Sequence, residues 1–158
     1  CAAAGNCSSR AIGSAIQVRY GRLQVLRGAS SEVADLSVPL LAEYFDGVGF
    51  RRNQLDQCST YAAASVTLSD FQESLGSGET APNGPGSATA LVSGKPDPAS
   101  PLRLSAPGPG NEGSVQLQVD VPGWLEFDWL GTGVTDPAAR QTFGLFRGHD
   151  RVVYWRER

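Results

Sequence analysis

QVRYGRLQVLRGASSEVADLSVPLLAEYFDGVGF, residues 17–50, decides the reading of the whole chain. From Leu36 onward, Leu36, Val38, Leu40, Ala42 and Tyr44 share one parity, while Ser37, Pro39, Glu43 and Phe45 share the other. Successive side chains of a strand point to opposite faces, so this alternation predicts a half-buried β-strand and not a helix. Upstream, Ile16, Val18 and Tyr20 have one parity, and Leu23 and Val25 the opposite. A one-residue slip of that kind predicts a β-bulge at Gly21. Pro39 has no N–H to donate, so its strand lies at an edge or carries an irregularity there. Asp46-Gly47 is a two-residue turn signal, extended to four residues if Val48 and Gly49 join it.

Beyond this hairpin the same period returns. Val66 and Leu68 alternate with Ser65, Thr67 and Ser69. Val115, Leu117, Val119 and Val121 alternate with Ser114, Gln116, Gln118 and Asp120, the clearest strand in the chain. Residues 124–130 read as another strand, with Leu125, Phe127 and Trp129 facing one way and Glu126 and Asp128 the other. Asp136-Pro137-Ala-Ala-Arg140 reads as a single capped helical turn, with Asp as N-cap and Pro at the first helical position. A last hairpin pairs residues 142–147 with 152–156 across Gly148-His149-Asp150. Between the two halves, residues 74–101 are dense in Gly, Pro and Ser, with only residues 89–92 as a candidate strand. This segment reads as a long loop or crossover within one domain, an entropic connector before a binding loop.

Eight to ten short strands punctuated by turns define an all-β chain. The expected form is an antiparallel β-sandwich, immunoglobulin-like or jelly-roll in outline, with a closed barrel as the alternative. Residues 1–15 are small and polar and read as a coil, leaving residues 16–158 as a single sandwich domain. The 158 residues suffice to bury one core, and 29 of them are Gly or Pro (19 and 10), which favours turns over helices. A net charge of −3 gives no electrostatic mark of nucleic-acid binding. Lys95 is the single lysine among 13 basic residues. No stretch approaches the roughly 18 apolar residues of a membrane span. Opening on Cys1 without a methionine, the chain reads as a processed product or a piece of a longer protein.

The three cysteines, Cys1, Cys7 and Cys58, allow one disulfide and one leftover thiol. Spacing does not choose the pairing. Cys7 with Cys58 is preferred because it ties the N-terminal segment to the loop after the first hairpin, worth about 4 kcal/mol in the chain-entropy account.

Several of these stretches also carry a likeness. Arg-Tyr-Gly-Arg-Leu (residues 19–23), Val-Pro-Leu (38–40), Ala-Glu-Tyr-Phe-Asp-Gly (42–47), Phe-Arg-Arg-Asn (50–53) and Asp-Gln-Cys-Ser-Thr (56–60) occur in order. Trp-Leu-Glu-Phe-Asp-Trp (124–129), Pro-Ala-Ala-Arg (137–140), Thr-Phe-Gly (142–144) and Arg-Val-Val-Tyr (151–154) follow. Together they resemble the C-terminal region of MshQ-like proteins, the large non-pilin products of MSHA type IV pilus loci. The resemblance implies a module exported by a Gram-negative bacterium to the cell surface or pilus. It further implies a role in adhesion or pilus assembly, with other pilus or cell-surface proteins, and surface glycans, as partners. It implies no catalytic residue and no cofactor.

Individual residues point less far. His149, the only histidine, sits in a Gly-His-Asp turn with no nucleophile motif beside it, so a catalytic triad is not expected. Glu126 and Asp128 share a strand face about 7 Å apart, a spacing compatible with inverting glycosidases, but alternating acids more simply form a solvated face. Asp46 with Asp56, or Asp128 with Asp150, would offer oxygen ligands to calcium, yet no calcium-loop motif is present and turn chemistry explains them; no metal site is expected. Of the C-terminal aromatics, Trp129 is assigned to the core. Trp124, Tyr154 and Trp155 are the candidates for an exposed ligand or partner surface, which would also suit a carbohydrate-binding module.

Overall fold

In a computed structural model, residues 19–144 are described. Twelve strands run through them in the order β1 (Gly21–Val25), β2 (Ala29–Ser30), β3 (Leu36–Ser37), β4 (Leu40–Phe45), β5 (Phe50–Arg52), β6 (Thr60–Tyr61), β7 (Val66–Glu73), β8 (Pro82–Asn83), β9 (Thr89–Ala90), β10 (Arg103–Leu104), β11 (Gly113–Val119) and β12 (Ala138–Phe143). A single 3-10 turn, Ala63–Ser65, precedes β7, and the described residues hold no α-helix. The fold is all-β, as the alternation predicts.

The strands form four sheets, ordered β1-β4-β5, β3-β10-β8, β2-β12-β11-β7 and β6-β9. All pairs are antiparallel except β12 with β2. The decisive strand of residues 36–45 serves two of these sheets. Its first part, β3, pairs with β10, and its second part, β4, pairs with β1 and β5. The break falls at Pro39, which cannot donate to a ladder but whose carbonyl accepts from Leu26 N at 2.9 Å. The expected irregularity is thus the corner at which the chain passes from one sheet to the next.

Inward-facing side chains of the sheets merge into one core. Leu23, Val25, Leu36, Leu40 and Ala42 pack in a single cluster with Leu104, Val115, Leu117, Val119 and Phe143. Period two along each strand brings these side chains inward, and each is buried.

Four expectations are corrected. Pairing of β1 with β4 is unbroken from Gly21 to Val25, so the phase change at Gly21 marks the start of the strand and not a bulge. The one register shift along β11 lies opposite β7, between Ser114 and Gln116. Residues 124–130 form no strand: the chain turns at 123–125, and only an isolated bridge joins Phe127 to Thr135. Within this segment only Leu125 is fully buried. The helical turn at 136–140 is replaced by β12, because Ala139, Gln141 and Phe143 face the core and pair along β11. Asp136 still acts as a cap of sorts, but its carboxylate accepts from Val121 N and Gln118 Nε2 instead of from a helix N-terminus. Finally, residues 74–101 do cross between sheets, but as ordered chain: they carry β8 and β9 and bury Leu75, Thr80 and Leu91. The expected coil at 1–15, Ile16, Val18 and the last hairpin beyond Gly144 lie outside the described residues.

Candidate functional site

The site is built on the outer face of the β1-β4-β5 sheet. In β4 the core takes Leu40 and Ala42, so Leu41, Glu43 and Phe45 turn outward, and pairing sets Arg22 opposite Glu43 and Phe50 opposite Phe45. Arg22 Nε donates to Glu43 Oε2 at 2.8 Å, with both side chains largely shielded. Its guanidinium carbon lies 3.8 Å from the Phe50 ring centroid and 4.6 Å from those of Phe127 and Trp129. Such contacts favour a cation through the ring quadrupole.

Around this arginine the rings form a continuous row. Phe45 meets Phe50 at 5.6 Å, Phe50 meets Phe127 at 5.0 Å, and Phe127 meets Trp129 at 5.1 Å. Tyr20 joins Phe50 at 5.9 Å and Phe127 at 6.4 Å. Phe45, at one end of the row, and Tyr20, at its side, face solvent, Tyr20 being 60% and Phe45 43% exposed. Trp129, assigned to the core from its parity, belongs to this outer row and is half-buried. Its indole N–H is enclosed without an acceptor.

Trp124 sits in a turn closed by Leu125 N to Pro122 O at 2.7 Å. Leu125 is buried and its carbonyl accepts from Leu23 N at 3.0 Å, which pins the turn to the free edge of β1. Anchored there, Trp124 projects outward and is 63% exposed. Tyr154 and Trp155, the other aromatic candidates, lie outside the described residues.

The hairpin tip is equally well fixed. Asp46 Oδ1 accepts from Val48 N and Gly49 N, both at 2.9 Å, and Oδ2 pairs with Arg51. Chiefly through the two backbone donors, with Arg51 adding to them, its pKa falls to about 2. The turn has four residues, because Phe45 pairs directly with Phe50. Beside the Tyr44–Arg51 pair of this hairpin an open pocket of about 610 Å³ is lined by Arg19, Tyr44, Arg51, Arg52, Gln54 and Leu55.

The remaining sequence candidates are not drawn together. Glu126 and Asp128 lose the shared strand face on which their pairing rested, and Asp128 accepts from Thr132 N at 3.0 Å. Asp56 likewise holds its own turn, accepting from Cys58 N and Ser59 N. Among the described residues no three His, Cys, Asp or Glu side chains gather as a metal site would require. Cys58 is exposed, whereas its expected partner Cys7, like Cys1, His149 and Asp150, lies outside the described residues. What sequence reasoning missed is the set Tyr20, Phe45 and Phe50; Arg22, with Arg19, Arg51, Arg52, Arg147, Arg151 and Arg156, reads from the sequence as part of a positively charged strand side able to meet an acidic partner. A signal existed: a four-residue turn sets Phe45 directly across from Phe50.

Fold and surface together define a class, an all-β, mostly antiparallel module with exposed aromatic side chains on one sheet face. The chain belongs to the family described as DUF6701, fourth domain, which matches residues 19–158. Comparisons with curated proteins and with solved structures return no match. No helix among the described residues is long and apolar enough to cross a membrane.

Proposed function

We propose that this domain is a non-enzymatic binding module of an MshQ-like protein, working outside the cell in pilus-linked adhesion or pilus assembly. The observation that carries this reading is the solvent exposure of three aromatic side chains, Tyr20, Phe45 and Trp124. Solvent-facing aromatics on a rigid sheet and an anchored turn are the residues that dominate binding energy at protein interfaces. The sequence resemblance to MshQ-like proteins supports the setting. Addition of a neighbouring strand suits the domain less well. The outer strand β7 is interrupted by the irregularity opposite Ser114, and the outer strand β5 has three residues.

The test is binding of the 158-residue chain to whole cells and purified type IV pili of the bacterium that encodes it. Trp124→Ala and Tyr20→Ala are each expected to weaken binding about tenfold, the effect of a modest interface hot spot. Tryptophan quenching by a soluble quencher should fall when pili or cells are added. Absence of binding by the unaltered chain would overturn the reading. Carbohydrate recognition by the same aromatic side chains is the second reading, supported by the exposure of Trp124 in its turn.

A further inference from the structure

The pocket beside the Tyr44–Arg51 pair is chemically unlike the rest of this acidic chain. Tyr44 and Arg51 face each other across β4 and β5, on the side opposite Phe45 and Phe50. The Arg19 guanidinium covers the Tyr44 ring at 4.3 Å, with Nη1 3.4 Å from Asn53 Oδ1. Arg51 has its counter-ion in Asp46. Arg52 lies opposite Glu43 in the ladder, but Glu43 is taken by Arg22. Among the described residues neither Arg19 nor Arg52 has a carboxylate at ion-pair distance. Three arginines therefore line one pocket, Arg19 and Arg51 from the Tyr44 side and Arg52, opposite Glu43, from the other side of the strand, with a single counter-charge, an arrangement that concentrates positive potential and favours an anion. Planar guanidinium donors suit carboxylate and sulfate oxygens, with which they form paired, charge-assisted hydrogen bonds.

The shape narrows the ligand further. A volume of about 610 Å³ lies in the range of small-molecule sites. The three-residue strand β5 is too short an edge to template an extended acidic peptide. Gln54 supplies an amide that both donates and accepts, matching hydroxyl groups, and Leu55 supplies an apolar wall that is 74% exposed. We infer that this pocket, lined by Arg19, Tyr44, Arg51, Arg52, Gln54 and Leu55, binds an acidic sugar residue whose carboxylate or sulfate is held by the arginines. The inference rests on the adhesion reading above and names the ligand class for a pocket distinct from the aromatic row.

The experiment titrates the 158-residue chain with trigalacturonate, a sulfated disaccharide, the methyl ester of trigalacturonate and triglutamate, following binding by calorimetry. One of the two charged sugars should bind, and raising the salt concentration should weaken it. The ester should bind at least tenfold more weakly than the free acid if the carboxylate is the recognised anion. Arg19→Gln and Arg52→Gln should each cost about tenfold, the equivalent of one charge-assisted hydrogen bond. In the unaltered chain, the backbone amide signals of Arg51 and Gln54 should shift on titration, a readout independent of how the variants fold. No binding of either charged sugar, or equal binding by triglutamate, would overturn the inference. If Arg19→Gln and Arg52→Gln keep full binding to cells while Trp124→Ala loses it, the pocket assignment fails and the adhesion reading stands. If a charged sugar binds but cells and pili do not, the pocket assignment stands and the adhesion reading fails.

Discussion

Gln141 is a buried amide in the middle of the core-facing side of β12, fully shielded from water. A polar side chain there survives because both ends of its amide are used. Oε1 accepts from Gly28 N at 2.8 Å, and Nε2 donates to Leu26 O at 3.0 Å. The side chain thereby completes the pairing of the segment between β1 and β2, which forms no strand of its own. Gly28 is part of the same device, since a Cβ on it would sit 2.7 Å from Gln141 Oε1 and 2.9 Å from Leu36 Cδ2. Gln141→Leu keeps the volume and removes both partners, leaving one part-buried N–H and one part-buried C=O unpaired. We expect a loss of about 2–4 kcal/mol, from the cost of two such groups, read as a lower urea midpoint with an unchanged slope. An unchanged midpoint would mean that Leu26 and Gly28 find other partners. Nothing in the sequence marked Gln141, because the alternation of β12 was hidden behind an Asp-Pro signal that reads equally well as a helix start.

At the level of elements, legibility tracked how local the cause was. β4 and β11 were readable because every second residue is apolar and both strands are long enough for the period to show. The segment at 124–130 has the same alternation but lacks a neighbouring strand, so its period records contacts with Arg22 and β1 instead of a ladder. Residues 136–140 failed the other way, with tertiary pairing along β11 overriding a local helix signal. The β4–β5 hairpin was legible to its tip, and it yields a pH prediction. Asp46 ionises at about 2 in the fold against an ordinary 3.8. A lowered folded value means that its stabilising effect is complete above about 3.8 and is lost as pH falls through about 2. A carbon-detected titration of the Asp46 carboxyl should therefore give a midpoint near 2. Hydrogen exchange at Val48 and Gly49, referred to the unfolded chain, should lose protection over the same window. In Asp46→Asn the pH dependence of that protection should vanish; its persistence would place the cause in another group.

For the molecule as a whole, the open question at the level of sequence was what 28 residues rich in Gly, Pro and Ser (positions 74–101) contribute. Composition suggested a connector, but three anchors make the segment part of the domain. Leu75 and Leu91 enter the common core, and Thr80 Oγ1 donates to Ser105 O at 2.7 Å. The third anchor is Tyr61, which is buried at the end of β6. Its hydroxyl donates to Ser100 O at 2.7 Å and accepts from Asp97 N at 2.9 Å, clamping the end of the segment against β6. A clamp made by one hydroxyl is testable by removing one atom. Tyr61→Phe leaves the ring in the core and deprives Asp97 N and Ser100 O of their partner, for an expected loss of about 1–3 kcal/mol. The loss should be concentrated in the segment, as faster amide exchange over residues 91–100 with little change in β11. Burial also raises the Tyr61 phenol above its ordinary 10.0. The unfolded chain then ionises first, so the clamp is fully effective below pH 10 and weakens as pH rises through the higher folded value. Tyr61→Phe should abolish that alkaline sensitivity along with the protection. If exchange in the segment is already fast in the unaltered chain and indifferent to the substitution, the 74–101 stretch is the entropic connector that its composition suggests.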